Sequence, residues 1–189
     1  MLFLLYTREI NHVIHQYNLQ SQCYAEDCQV HSSCQPDKKD EFIESKLICI
    51  ERLSRWMASN RLKLNPDKTM FIWLTLRRSQ HLIDHSSIVG HGIIIKPSST
   101  VRLLGVYVDE AMSFEAHIGN VVRTCFFQLR KLKAIRNYIP LDTAKTSVNA
   151  FVVTKLDYCN SLLAGVPSCQ LDRLQSVFNA AARLVCRAS

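Results

Sequence analysis

The chain has 189 residues, 48% of them hydrophobic, so it holds enough apolar material for one sizeable core or two small ones and is not an intrinsically disordered chain. Its formal net charge of +7 at pH 7 is unevenly placed. Residues 1–51 carry four basic and eight acidic side chains, whereas residues 52–189 carry nineteen and eight. We therefore expect RNA or DNA, as a partner, to bind the basic C-terminal part through its phosphates, with an ordinary solvated surface as the alternative.

The first six residues are apolar, but Arg8 and Glu9 end this run. The run is far shorter than the roughly 20 residues of a membrane span, and it does not have the length of a signal peptide's hydrophobic part. We therefore expect no membrane or secretory segment and an intracellular location, in the nucleus or cytoplasm. A chain that begins within an apolar run is also expected to have lost the first half of a helix or strand.

Cysteine occurs eight times, at positions 23, 28, 34, 49, 125, 159, 169 and 186. The spacing shows no compact disulfide framework, and several cysteines lie among apolar neighbours, as free core cysteines of a reducing compartment do. Cys23, Cys28, His31 and Cys34 offer four metal-binding side chains within twelve residues. Their Cys-x4-Cys-x2-His-x2-Cys spacing differs from the common zinc patterns, so whether they bind a metal is left open.

The N-terminal elements are expected to be a helix over residues 2–17 and a hairpin. The hairpin arms are residues 20–23 and 28–31, and the acidic pair Glu26-Asp27 lies between them. A second helix is expected over about residues 40–58, because apolar residues recur there at spacings of three and four. These positions are Ile43, Leu47, Ile50, Leu53 and Met57.

The middle of the chain is expected to form a small antiparallel sheet. Short runs with β character lie at residues 62–64, 69–76, 87–89, 92–96 and 101–108. Gly90-His91-Gly92 is expected to form a turn between two of them.

The last third of the chain is expected to be entirely helical. Ser113 is a plausible N-cap of a helix that runs to Asn137, with two more helices over residues 142–163 and 169–186, the last capped by Ser168. Apolar side chains keep helical spacing at Phe114, Ile118, Val121, Cys125, Leu129, Leu132 and Ile135. Arg123, Arg130 and Lys131 fall on the opposite face of that helix.

One short motif is typical of a known family. Tyr24-Ala25-Glu26-Asp27 resembles the Tyr-Ala-Asp-Asp motif of retrotransposon reverse transcriptases, and residues 2–6 with Ile10-Asn11 are similar to the stretch before it. Similar blocks follow in order at Trp56-Met57, Asn60, residues 62–65, Lys68-Thr69, residues 101–106, Asp109, Ser113-Phe114, His117-Ile118, residues 155–163, Leu174-Gln175, Asn179 and residues 181–183. The chain thus resembles the distal part of a LINE-type (non-LTR) reverse transcriptase over nearly its whole length.

The resemblance implies an α+β fold in which residues 1–110 form a partial polymerase palm, a small antiparallel sheet with helices. Residues 111–189 would then form an all-α, thumb-like helical bundle. Glu26 and Asp27 would be the carboxylates that bind catalytic metal ions, and Lys68 would donate a proton near pyrophosphate. Tyr24 would pack beneath the carboxylates.

The expected nucleic-acid contacts are four cations of the basic part of the chain. Residues 101–106 resemble the family's primer-contacting strand region, which brings Arg102 to the primer. The helical face that resembles the thumb would contact phosphates. Its cations are Arg123, Arg130 and Lys131.

Two departures from the family indicate a catalytically silent remnant. Two-metal phosphoryl transfer needs several carboxylates from different strands around ions about 3.5–4 Å apart, and a single acidic pair does not supply them. Glu26 also replaces the first Asp, and its extra methylene displaces the oxygens by about 1.5 Å, enough to cost on the order of a hundredfold in rate. Mg²⁺ or Mn²⁺ is therefore expected only in a completed site.

Other interpretations stay open. The chain could be one fragment of an active RNA-directed DNA polymerase whose upstream part is missing, or a protein-interaction module that uses unpaired strand edges and uncovered apolar surface. Glu26-Asp27 could be an ordinary solvated turn, Trp56-Met57 a core anchor, and His117 an ordinary helix residue.

Overall fold

The computed structural model describes residues 8–25, 27–65, 68–82, 86–90 and 93–187. This part of the chain is mixed α+β, with helices and three separate two-stranded antiparallel ladders. It divides into two compact units. The described residues of Met1–Phe71 and His81–Ser98 form unit 1, and those of Ile72–Gln80 and Ser99–Ser189 form unit 2. Within the described ranges, no helix combines the length and apolarity that crossing a membrane requires.

The described part of unit 1 begins with helix α1 (Arg8–His15), followed by strands β1 (Gln20–Tyr24) and β2 (Asp27–His31) and helix α2 (Lys39–Ser59). A short 3-10 helix, Pro36–Lys38, precedes α2. The helices pack on each other through a small core that consists of Ile10, Ile14, Leu19 and Cys49, with Tyr17, Leu53 and Trp56 at its edge. The expected helix over 40–58 is thus confirmed, and that over 2–17 is confirmed from Arg8 to His15. Residues 2–7 lie outside the described part.

The predicted hairpin is confirmed, and its register pairs Cys23 directly with Cys28. The two Cα atoms are 4.1 Å apart and the two sulfurs are joined as a disulfide. The cysteine spacing predicted no compact disulfide framework and left Cys23 and Cys28 open as metal ligands, whereas the hairpin register joins these two residues, which the sequence separates by five. Cys49 and Cys125 are free and buried, as expected of core cysteines.

The single antiparallel sheet expected in the middle of the chain is not formed by the described residues. The ladders there are two separate hairpins, β3 (Ile88–Gly90) with β4 (Ile93–Ile95), and β5 (Thr100–Leu103) with β6 (Val106–Asp109). Residues 62–64 form no strand, and the run over 69–76 contributes one isolated bridge, from Phe71 to Pro97. Proline has no backbone N–H, so Pro97 cannot continue a ladder. The expected turn residues His91 and Gly92 lie outside the described part.

A tight turn at Leu104-Gly105 divides the run over 101–108, which the sequence analysis treated as one strand. The φ angles of these two residues are 45° and 91°, the left-handed pair typical of a type I′ hairpin turn. One face of the hairpin is buried in a core that comprises Val101, Val106, Val108 and Phe114, with Ile72 and Leu103 beside it. The other face carries the cross-strand pairs Thr100 with Asp109 and Arg102 with Tyr107.

Leu104→Asn is expected to stabilise the protein by about 0.5–1 kcal/mol. Leucine is disfavoured at positive φ, asparagine tolerates it, and 44% of the Leu104 side chain is exposed, so little burial is lost. The Leu104 carbonyl oxygen would still accept the Tyr158 hydroxyl hydrogen bond of 2.5 Å. Urea unfolding measures the change. A less stable Leu104→Asn variant would show that the leucine side chain contributes more than its backbone strain costs.

The rest of unit 2 is a helical bundle. Helix α3 (Glu115–Ile135) packs against helix α6 (Ser168–Cys186), and the core between them and the connecting helices is continuous. The buried members of this core are Val121, Cys125, Leu129, Leu132, Val148, Val152, Leu156, Val177 and Ala181. The helical periodicity over residues 113–137 is therefore confirmed, with a 3-10 turn, Arg136–Tyr138, at its end.

The prediction of one continuous helix over residues 142–163 is wrong. The chain forms α4 (Leu141–Val148), a π-helical turn (Asn149–Val153) and α5 (Thr154–Asp157). Helical geometry then ends, because Tyr158 is extended and Cys159 is left-handed, with φ 56°. A 3-10 turn, Asn160–Leu163, follows. The break lies beside Tyr158, whose hydroxyl group binds the hairpin turn of β5 and β6.

The two predicted N-caps are also wrong. Phe114 occupies the N-cap position of α3 with φ 55°, and Pro167 occupies that of α6. The backbone around Phe114 is held by Asp109 at the end of β6. The Asp109 carboxylate accepts the N–H groups of Ala111, Ser113 and Phe114 at 3.1, 2.9 and 2.8 Å, and the Ser113 hydroxyl group at 3.0 Å. A carboxylate at the end of the preceding strand therefore takes the place of the predicted serine cap.

Candidate nucleic-acid interface

Of the acidic pair that resembles a polymerase motif, the structure describes one residue. Asp27 is exposed at the start of β2, and Glu26 lies outside the described residues. Tyr24 is 72% exposed, so its expected packing role is wrong. Lys68 is also exposed. Across the described ranges, no three histidine, cysteine, aspartate or glutamate side chains come close enough to bind a metal ion.

Unit 2 contains an open groove of about 750 Å³ between the exposed face of the β5–β6 hairpin and helices α3 and α6. The hairpin lines it with Thr100 and Tyr107, and α6 contributes Arg173. The polar lining from α3 is Asn120 and Arg123. Among the described residues, the side chains that line this groove include two arginines and no carboxylate, so its electrostatic character favours an anion.

Gly119 explains how Arg173 reaches the groove. A Cβ atom at position 119 would lie 3.3 Å from the Arg173 Nη2 atom, so glycine lets the guanidinium group lie against α3. Arg173 Nη1 also donates a 2.7 Å hydrogen bond to Gln170 Oε1 on its own helix. Glycine within a helix lowers the stability of the helix by about 1 kcal/mol relative to alanine. At position 119, the glycine lies next to the charged Arg173 side chain.

The hairpin side of the groove carries a cation and an aromatic ring. The Arg102 guanidinium carbon is 5.8 Å from the centre of the Tyr107 ring, and Arg102 is exposed. Behind this pair, the backbone N–H of Tyr107 donates a long hydrogen bond of 3.5 Å to His117 Nδ1. Burial lowers the pKa of His117, so the ring is neutral at pH 7. His117 is therefore a buried core residue that supports the hairpin.

The outward side of α3 continues from the groove. Arg123, Phe127, Arg130 and Lys131 lie opposite the buried positions Ile118, Val121, Cys125, Leu129 and Leu132, and we name these four residues the basic face of α3. The sequence analysis placed the three cations there correctly. Lys131 Nζ lies 4.5 Å from the centre of the Phe127 ring. Residues 116–141 contain no aspartate or glutamate.

The structure thus brings together some of the expected binding residues and adds others. Arg123 lines the groove, and Arg102 lies beside it as the cross-strand partner of Tyr107. Arg130 and Lys131 lie further along α3. Sequence reasoning missed Arg173, Tyr107 and Asn120, because their proximity to Arg123 depends on how hairpin and helices pack. The stretch over residues 116–141, which contains no aspartate or glutamate, is a sequence signal that points to the α3 part of this surface.

No family model, curated protein or solved structure matches this chain. The kinship with reverse transcriptases, the palm and thumb assignment, and the division at residue 110 therefore stay predictions from the sequence motifs.

Proposed function

We propose that this protein is a catalytically inactive relative of non-LTR reverse transcriptases that binds nucleic acid through unit 2, without sequence preference. One observation carries the binding proposal: two arginines from different helices line a groove, and no carboxylate is among the lining residues that the structure describes. Guanidinium groups form charge-assisted, paired hydrogen bonds with phosphate oxygens, and backbone phosphates are the same at every base. Such contacts give affinity without reading sequence.

The groove and the basic face of α3 offer a continuous set of phosphate contacts. Arg123 belongs to both, Arg173 lies on the groove side, and Arg130 and Lys131 follow along the helix. At 1.5 Å per residue, Arg123 and Lys131 are about 12 Å apart along the helix axis. Arg102 adds a cation at the hairpin. We therefore expect several phosphates to be neutralised at once, and binding to weaken as salt rises.

The proposal of inactivity rests on the acidic motif. Glu26 stands where the family motif has aspartate, and Asp27 belongs to no group of three potential metal ligands among the described residues. Metal-assisted nucleotidyl transfer needs carboxylates that converge on both ions. A primer-extension assay with template, deoxynucleotides and Mg²⁺ or Mn²⁺ should therefore show no product. Extension that Asp27→Ala abolishes would overturn the inactive assignment.

Removing single groove cations should lower both the affinity for nucleic acid and its dependence on salt. For a single strand, Arg123→Gln and Arg173→Gln should each reduce the slope of log K against log salt concentration by about 0.7, the contribution of one phosphate contact. Fluorescence anisotropy with a labelled oligonucleotide across a salt series measures this slope. Mixed-sequence and homopolymeric strands should behave alike.

Lys145→Gln is the matched control, because it removes one exposed charge from unit 2 on another helix. Lys145 lies 3.6 Å from Asp142, and its loss should leave the slope unchanged. If all three variants lowered the slope equally, net charge rather than the groove would account for binding. If the parent protein did not bind at low salt, the binding proposal would be wrong.

A further inference from the structure

An aromatic ring stands in the middle of the basic face of α3. Phe127 is 49% exposed and lies four residues after Arg123, three before Arg130 and four before Lys131. Residues three and four apart are neighbours on a helix surface, so three cations surround the ring. Phe126, also partly exposed, is its neighbour in the chain.

The positive charge around Phe127 indicates which class of binding partner could cover the ring. An exposed apolar ring on a helix is commonly a contact for another protein, but a protein surface that fits three cations must supply several carboxylates together. A nucleic-acid strand supplies a negative charge at every nucleotide, and each nucleotide also carries a flat base. Aromatic side chains within a positively charged surface are the combination on which unpaired bases stack.

We propose that the basic face of α3 prefers single-stranded to duplex nucleic acid, because an unpaired base stacks on Phe127 while Arg123, Arg130 and Lys131 contact the flanking phosphates. This inference rests on the proposed nucleic-acid binding and names the form of nucleic acid that the surface selects. In a duplex, the faces of the bases are covered by their neighbours, so a ring at the protein surface has nothing to stack on. The cations can contact either form.

Lys131 defines the geometry of this contact. Its ammonium group lies over the Phe127 ring at 4.5 Å from the centre and is exposed. A base that stacks on this face of Phe127 would therefore displace the Lys131 ammonium group from the ring, and the displaced lysine would remain within reach of the base's own phosphate. The salt dependence of binding comes from the cations, whereas the preference for a single strand comes from the ring.

The test compares a labelled single strand with a duplex of the same length, about 12 nucleotides, which is within the usual site size of single-strand binding folds. The parent protein should bind the single strand more tightly. Phe127→Leu should weaken single-strand binding by at least about fivefold, the low end of the effect of losing one stacked base. Duplex binding and both salt slopes should stay unchanged, because no charge is lost. Phe151→Leu is the matched control, since Phe151 is a half-exposed phenylalanine on the π-helical turn.

A fluorescent adenine analogue in the single strand reports stacking directly. Its emission should be quenched by the parent protein and by Phe151→Leu, and much less by Phe127→Leu at a saturating concentration. Equal affinity for both forms, with no effect of Phe127→Leu, would overturn this inference and leave the proposed function intact. Absence of binding to either form would overturn both. If the parent protein formed a dimer in solution and Phe127→Leu dissociated it without any change in binding, the ring would contact a second copy and the inference would also be overturned.

Discussion

Replacing Arg136 by methionine is expected to destabilise the protein by about 3 kcal/mol or more. Arg136 is buried at the end of α3, and its guanidinium group donates three hydrogen bonds to backbone carbonyl oxygens. The acceptors are Leu184 at 3.1 Å and Val185 at 3.0 Å, in the last turn of α6, and Ile139 at 3.1 Å. The last carbonyl groups of a helix have no partner within the helix and carry partial negative charge. Methionine fills similar volume but leaves all three acceptors without this donor.

Urea unfolding followed by far-ultraviolet circular dichroism measures the loss. Arg136→Lys keeps the charge but cannot reproduce the planar set of three donors, so its stability should lie between those of the parent and Arg136→Met. Arg130→Met is the control, because Arg130 is exposed on the same helix and its replacement should change stability by no more than about 0.5 kcal/mol. Equal stability of Arg136→Met and Arg130→Met would refute a structural role for the buried guanidinium group.

The second large effect is expected at Asp109, and it depends on pH. Burial by itself would raise the pKa of this carboxyl group, but hydrogen bonds from Ser113, Phe114 and Ala111 outweigh burial and hold the pKa below its usual value. The ionised form is therefore favoured in the folded protein. An amide at this position has one acceptor oxygen, so Asp109→Asn should lose the bonds to Asp109 Oδ2 from the Ser113 hydroxyl and the Phe114 N–H. We expect a loss of about 2 kcal/mol at pH 7.

The direction of the pH dependence follows from the lowered pKa. A carboxyl group with a lower pKa in the folded state adds stability above its unfolded pKa, near pH 4, and that contribution is lost as pH falls through the folded value. The difference in stability between the parent and Asp109→Asn should therefore stay constant from pH 7 to about pH 5 and shrink as pH falls below about 4. Asp142→Asn is the control, because Asp142 is exposed and pairs only loosely with Lys145. A difference that stays constant with pH would show that the charge of Asp109 is not what holds the segment.

Local patterns predicted most of the helices because burial on one side of a helix repeats every three or four residues. Ile118, Val121 and Cys125 gave the position of α3, and the short arms around residue 26 gave the β1–β2 hairpin. Patterns failed where the residue types give no signal of the local backbone conformation. A leucine at position 104 does not indicate the type I′ turn that forms there. The backbone at the start of α3 is held by Asp109 rather than by Ser113.

The candidate site was predictable in part for the same reason. Arg123, Arg130 and Lys131 belong to one helix, so periodicity alone placed them on one face. Arg173 is separated from Arg123 by fifty residues, and the two meet only because Gly119 permits a close approach between α3 and α6. No spacing rule within one segment contains that information.

The contact between Arg136 and the end of α6 has a consequence for local opening. Terminal helical turns usually fray independently, since few contacts hold them. Here the Leu184 and Val185 carbonyl groups, in the last turn of α6, accept hydrogen bonds from the side chain of Arg136, which lies about fifty residues earlier in the chain. The last turn of α6 can therefore open only when the buried guanidinium group of Arg136 loses these hydrogen bonds. Fraying of this turn is thus coupled to the stability of the bundle as a whole.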